Sequence, residues 1–236
     1  EMEGVKEVSL KYLNVKNVTD TTADIYFYGE ISGDEWDKWT EADKCPEDVI
    51  KALKKAEGKD INIYINSPGG SVFAGIAIYN MIKRSKGRKT VHIDGLAASI
   101  ASVIAMCGDE IIMPSNAFLM IHKPWNVCMG NAEEMRKTAE SLDTIEQGIT
   151  EIYKENLIDE GKIEEIKALI AEETWLTAEK AREYFKNITV AEPNRAVAKA
   201  EWLKGFKNIP EGLKREENTE NKEKEVLMLQ SELLFL

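Results

Sequence analysis

The chain has 236 residues, of which 43% are hydrophobic and 31% charged, with a formal net charge of -11 at pH 7. That length and apolar share supply one substantial core, so one domain with appendages is expected rather than two. An acidic balance without a basic stripe argues against nucleic acid and against an anionic membrane surface as partners, since both require clustered Lys and Arg.

Residues 1–10 mix charges with apolar side chains and lack an apolar core of signal-peptide length, and no stretch approaches the length of a membrane span. A cytosolic protein is expected. Cys45, Cys107 and Cys128 are odd in number and have no C-x-x-C spacing, so neither a disulfide framework nor a zinc site is indicated, and no metal or cofactor is expected.

In chain order, 23–31 reads as a strand with Ile25, Phe27 and Ile31 on one face. An acidic stretch over 33–46 holds Trp36 and Trp39 and leads into 47–56, where Val49, Ile50, Leu53 and Ala56 form a helical stripe ended by Gly58. Residues 60–66 alternate Ile61, Ile63 and Ile65 as a strand. Ser67-Pro68-Gly69-Gly70 breaks it before a helix carrying Val72, Ile76, Tyr79 and Ile82. A strand over 90–94 follows, then the small-residue run Gly95-Leu96-Ala97-Ala98-Ser99-Ile100-Ala101-Ser102, and the uniformly apolar 100–106 reads as a short buried helix closing at Gly108. Such alternation argues for an α/β fold with parallel strands, whose right-handed crossovers put 67–70 and 95–99 on one side of the sheet.

Residues 110–113 and 117–121 are short strands parted by Pro114-Ser115-Asn116, and His122 ends the second. Asn131 with Glu134 resembles a capping box that opens a long helix over about 131–158. Its apolar residues Met135, Leu142, Ile145, Ile149 and Ile152 fall near coiled-coil spacing and suit either a core or a subunit interface. Two further helices over 164–170 and 178–185 are joined by 171–177, and 193–206 reads as a last helix. The expected organisation is one domain over 1–210 and a tail over 211–236, with a solvated, mobile charge run at 214–225 and an apolar end at 226–236.

Ser99 sits where a strand gives way to a helix. The first amides of a helix are unpaired and its dipole favours negative charge, which suits a hydroxyl about to become an alkoxide and an oxyanion forming beside it. The alternative is a plain N-cap serine. A serine nucleophile needs a base, and the chain has two histidines, His92 and His122. His92 alternates with Val91 and Ile93 inside a strand and reads as structural. His122, at a strand end, is placed to take the Ser99 proton and return it to a leaving amine. Gly69 and Gly70 follow a strand and offer backbone N–H donors with no side chain in the way.

Three motifs, Ile65-Asn66-Ser67-Pro68-Gly69-Gly70, Gly95-Leu96-Ala97-Ala98-Ser99 and Met120-Ile121-His122-Lys123-Pro124, in this order and spacing, resemble the proteolytic subunit family of Clp protease, a family of serine endopeptidases. The resemblance covers 23–190. It implies that Ser99 is the nucleophile, that His122 is the general base and that the amides of Gly70 and Ile100 form the oxyanion hole. It implies the fold as well, a spiral of repeated strand-strand-helix units shared with the crotonases, with the 131–158 helix as a protruding handle that joins two rings of a homo-oligomer. The family places an aspartate shortly before a Phe-Met-Ser-like run. Here that run is Glu172-Glu173-Thr174-Trp175-Leu176-Thr177, with Glu173 at the matching position and no aspartate in it. Glu172 and Asp143 are the alternatives, and Glu173 as an ordinary loop carboxylate is the bland one.

The acidic insert after the first strand and the runs around Ser99 and Trp175 are similar to the Clp-like prohead proteases of tailed phages and prophages, which cleave scaffold and capsid proteins. Three functions follow from the resemblance. One is a head-maturation endopeptidase acting on capsid or scaffold proteins without an ATPase, in the cytoplasm of a bacterial host. The second is a housekeeping peptidase fed by a Clp unfoldase. The third is a catalytically silent or acyl-CoA-binding relative on the same fold, against which the Ser99 and His122 pair argues.

Overall fold

A computed structural model of the chain describes residues 19–40, 43–193, 203 and 206–210. The chain divides into two compact units, 1–197 and 198–236. The helix expected at 193–206 and the tail at 211–236 lie almost wholly outside the described residues.

In the first unit the strands are β1 (Thr22–Phe27), β2 (Asp60–Ser67), β3 (Lys89–Ala98), β4 (Glu110–Pro114), β5 (Phe118–Ile121), β6 (Thr174–Thr177) and β7 (Ile188–Ala191). The helices are α1 (Pro46–Lys55), α2 (Val72–Arg84), α3 (Ile100–Ala105), α4 (Ala132–Glu155), α5 (Ile163–Ala171) and α6 (Ala178–Arg182). The sheet order is β1-β2-β3-β4-β7, all parallel, while β5 pairs parallel with β3 and β6 antiparallel with β5. Because β3 pairs with β4 through 90–92 and with β5 through 96–98, the sheet splits at its third strand, giving the mixed α/β fold expected.

Alternation decides the faces. Ile25, Phe27, Ile61, Ile63, Ile65, Val91, Ile93, Ile111 and Met113 are buried in one core with Val49 and Ala52 of α1, Ile78 and Ile82 of α2, and Ile104 of α3. On the opposite face Tyr26, Tyr64 and His92 stack in register across β1, β2 and β3, with ring centroids 4.6 Å apart at each step. His92 is thus a stacked member of a sheet face, as the alternation predicts.

Several boundaries differ from the sequence reading. β1 stops at Phe27, and Ile31 instead bridges to Gly70, its amide donating to the Gly69 carbonyl and its carbonyl accepting from Ser71, each at 2.7 Å. The chain there braces the glycine turn rather than extending the sheet. The buried side of α2 is Ala74, Gly75, Ile78, Tyr79 and Ile82, with Val72 and Ile76 only partly covered, because α3 crosses so close that a Cβ at Gly75 would overlap Ile100. β3 runs through the small-residue run to Ala98, drawn out by its pairing with β5. The linker expected at 171–177 contains a strand, β6, whose register on β5 is set by long-range pairing too short to give a periodic signal. The edge strand β7 is equally short, and its pairing with β4 is likewise long-range.

The helix α4 has the expected cap. Asn131 Oδ1 accepts from the amides of Glu133 and Glu134 at 2.9 and 3.2 Å, and Glu134 returns the bond to the Asn131 amide at 2.8 Å. Its buried residues, Ile149, Thr150 and Tyr153, all belong to the last two turns, whereas Met135 is 49% exposed and Leu142 and Ile145 are partly covered.

Candidate active site

The split in the sheet creates the site. Ala98 ends β3 opposite Met120 of β5, and the Ser99 amide donates to the Met120 carbonyl at 2.9 Å. His122 comes two residues later, and its Nε2 lies 2.8 Å from Ser99 Oγ. Parallel pairing of two neighbouring strand ends therefore delivers a hydroxyl and an imidazole to one point. With Nδ1 protonated, Nε2 carries the lone pair and the Ser99 hydroxyl donates to it, the arrangement from which general-base transfer starts.

Ser99 is held at φ 54 and ψ -129, a conformation that costs an L-residue on the order of 1–3 kcal/mol. It precedes α3 but makes no capping hydrogen bond with its side chain, so the plain N-cap alternative does not describe it. As the first residue of α3, Ile100 has an amide with no intrahelical acceptor. The glycine turn closes on this pair. A Cβ at Gly69, which has φ 98, would sit 2.7 Å from both the Ala98 carbonyl oxygen and Ser99 Cβ, and 3.1 Å from the Ile100 nitrogen. The bridge to Ile31 engages the Gly69 carbonyl and the Ser71 amide, which in a parallel ladder leaves the Gly70 amide turned away from Ile31.

Burial pushes the His122 pKa below its ordinary 6.5, and the charge of Glu173 acts in the opposite direction. At neutral pH the ring is accordingly an unprotonated base. Glu173 immediately precedes β6, whose Thr174 pairs with Ile121, and the same antiparallel register carried one residue further sets Glu173 across from His122. Its backbone, at φ 53, turns the chain from α5 into that strand. The two alternatives sit elsewhere. Glu172 caps the C-terminus of α5, its amide donating to Ala168, while Asp143 is on the exposed side of α4 in a groove with Lys123, Gln147 and Lys167.

Two residues near Ser99 escaped the sequence reading of the site. Ser102 entered only as a small residue in a run, and Tyr153 not at all, although it stands four residues after Ile149 on the same stripe. Ser102 Oγ donates to the Ser99 carbonyl at 2.5 Å and lies 2.7 Å from the Tyr153 hydroxyl. Among the described residues no group of three His, Cys, Asp or Glu side chains could hold a metal ion, and the cysteines are free thiols, buried at Cys45 and Cys107 and exposed at Cys128.

Residues 16–185 match the family model for Clp protease. The chain is 33% identical over 130 residues to an ATP-dependent Clp protease proteolytic subunit of Bacteroides thetaiotaomicron, covering 54% of this chain and 58% of the relative. It is likewise 33% identical over 165 residues to the subunit of that name from Porphyromonas gingivalis, covering 66% and 72%. Against ATP-dependent Clp protease proteolytic subunit 1 of Chlamydia abortus the identity is 33% over 151 residues, covering 60% and 77%. The chain thus spans less than two thirds of the length of the Bacteroides relative.

Proposed function

The chain belongs to the Clp protease family, and from that premise we propose that it is a serine endopeptidase using Ser99, His122 and Glu173. The contact that carries this reading is the 2.8 Å separation of Ser99 Oγ and His122 Nε2 beside the glycine turn that closes on Ser99. Ser99 Oγ attacks the scissile carbonyl as His122 takes its proton. The carbonyl oxygen becomes an oxyanion facing the amides of Gly70 and Ile100. His122 then protonates the leaving amine, and water, deprotonated by the same imidazole, hydrolyses the acyl-enzyme. An acyl-CoA-binding relative would need the oxyanion amides but not a hydroxyl–imidazole pair, so that reading leaves the pair without a use.

Within this class we infer a role in phage or prophage head maturation, on capsid or scaffold proteins in the cytoplasm of a bacterial host. Its support is the acidic stretch beside the site. Gly33 lies against Ser71 of the glycine turn, and the stretch presents Trp36 and Trp39 at 94% and 90% exposure. Exposed aromatic side chains on a stretch that reaches the glycine turn fit a substrate brought by assembly rather than threaded by a motor. Co-expression with the capsid and scaffold proteins from the same genomic neighbourhood is expected to yield processed capsid protein without an ATPase, read by gel and mass spectrometry. Processing that starts only when a Clp unfoldase and ATP are added would assign the housekeeping role, which the relatives' name, ATP-dependent, favours.

We also propose a ring-shaped homo-oligomer built through α4 as a handle. The exposed Met135, the half-covered Leu142 and the exposed Trp125, Val127 and Met129 ahead of the helix leave an apolar surface on one protomer. Light scattering should give a multiple of 26.6 kDa, and Met135→Glu with Leu142→Glu should loosen the assembly while leaving the far-UV spectrum unchanged. Ile149, at 5% exposure, is a core residue and its substitution would unfold the protomer instead. A monomer from the unmodified chain at micromolar concentration would refute the assembly.

A further inference from the structure

Ser99 holds a conformation that an isolated chain would leave, so something must hold it there. Its amide is fixed by the Met120 carbonyl and its own carbonyl accepts from Ser102, through the amide at 3.0 Å and the hydroxyl at 2.5 Å. Ser102 is fully buried and has a single hydroxyl proton, which it gives to Ser99. In the 2.7 Å contact with Tyr153 the tyrosine must therefore be the donor. The direction of the chain of bonds is fixed: the Tyr153 hydroxyl donates to Ser102 Oγ, and Ser102 donates to the Ser99 carbonyl. Each bond polarises the next in buried surroundings.

Tyr153 is 1% exposed and belongs to the short buried end of α4, where it also packs against Phe185 with ring centroids 5.8 Å apart. The rest of α4 is largely uncovered. Two hydroxyls in series, Tyr153 and Ser102, thus tie a mostly exposed helix to the backbone of the residue that carries the nucleophile.

We propose that Tyr153 and Ser102 are positioning residues, a two-hydroxyl relay that holds the Ser99 peptide in its strained geometry and sets Ser99 Oγ at hydrogen-bonding distance from His122. The inference rests on the serine-peptidase reading for its effect on turnover, but not for its effect on the geometry. Neither hydroxyl touches substrate. Losing one should slow acylation without altering substrate binding or the ionisation of His122.

The test uses the full chain with Tyr153→Phe, Ser102→Ala and the double variant. Each single substitution should lower kcat on a fluorogenic peptide, and the rate of fluorophosphonate labelling at Ser99, by about tenfold. KM and the midpoint of the acid limb of the pH profile should stay where they are. Because the two act in series, the double variant should lose no more activity than either single one. It should also regain much of the Tm that Ser102→Ala loses, since removing both hydroxyls leaves no buried donor without an acceptor. Recovered stability with unrecovered turnover is a pattern that mere packing would not give. Turnover at the unmodified level in both single variants, or losses that multiply in the double one, would overturn the relay. A crystal structure of the double variant reports independently of turnover: the Ser99 Oγ to His122 Nε2 distance should lengthen, and a distance still at 2.8 Å overturns the relay. If the unmodified chain neither cleaves nor labels while the double variant still shifts the Ser99 turn, the peptidase reading falls and the relay stands.

Discussion

Replacing Ser99 with alanine should lower peptide hydrolysis by a factor of about a thousand or more and leave the fold in place. The first half follows from chemistry, because Ser99 Oγ is the oxygen 2.8 Å from His122 Nε2 and alanine offers no atom there. The second half follows from the backbone. The Ser99 amide and carbonyl, bonded to Met120 and Ser102, do not depend on the side chain. A fluorophosphonate probe should label the unmodified chain and not the variant. Ser99→Gly supplies a sharper control. Glycine tolerates φ 54, so it should relieve the strain and raise Tm, by about 1 kcal/mol of stability, while being as inactive as alanine. A Ser99→Ala protein that still cleaves would sink the assignment, and a Ser99→Gly protein less stable than Ser99→Ala would refute the strain argument.

The parts of this site that were legible in the sequence are those written locally. Ile61, Ile63 and Ile65 announce a buried strand, and the glycines after it announce a turn, but not that the Gly69 amide is taken by Ser67 Oγ at 3.1 Å, so that of the two expected donors Gly70 is the one left for the site. The apolar 100–106 after a small-residue run announces a helix with Ser99 at its start. Asn131 and Glu134 announce the cap of α4 through a bond pattern three residues long. What stayed hidden depends on pairing at a distance. β6 is four residues long, and it is a strand because β5 offers it an edge, so a sequence window reads it as a linker. Nothing within 171–177 reveals that Thr174 pairs with Ile121, and without that register the choice among Glu172, Glu173 and Asp143 had only resemblance to lean on. Ser102 and Tyr153 were hidden in the same way, fifty-one residues apart and joined by one hydrogen bond. The apolar stripe of α4 was readable as a stripe, but which end is core required knowing that Ile149 and Tyr153 pack inward and Met135 does not.

Glu173→Gln should reduce kcat by about a thousandfold or more, as expected of a group that orients a catalytic imidazole and stabilises its protonated form. Glu172→Gln and Asp143→Asn should each stay within a few-fold of the unmodified chain, the first because Glu172 belongs to the end of α5 and the second because Asp143 lies out on α4. The pH dependence distinguishes an electrostatic role from a steric one. Activity requires His122 unprotonated, so it rises as pH climbs through the His122 pKa. Burial holds that pKa below 6.5, and the Glu173 charge pushes it back up. Removing the charge lets burial act unopposed, so the acid limb of the Glu173→Gln profile should lie at lower pH than that of the unmodified chain even as its plateau collapses. Ser99 should still be labelled by a fluorophosphonate, slowly, because the hydroxyl and imidazole remain in place. A limb that moved to higher pH would mean that Glu173 does not act on His122 through its charge. A loss of activity shared equally by Glu172→Gln would mean that the loop as a whole, rather than this one carboxylate, supports the ring. The left-handed backbone at Glu173 makes a second variant useful, since Glu173→Asp retains the charge on a shorter arm and should recover part of the plateau together with the original limb.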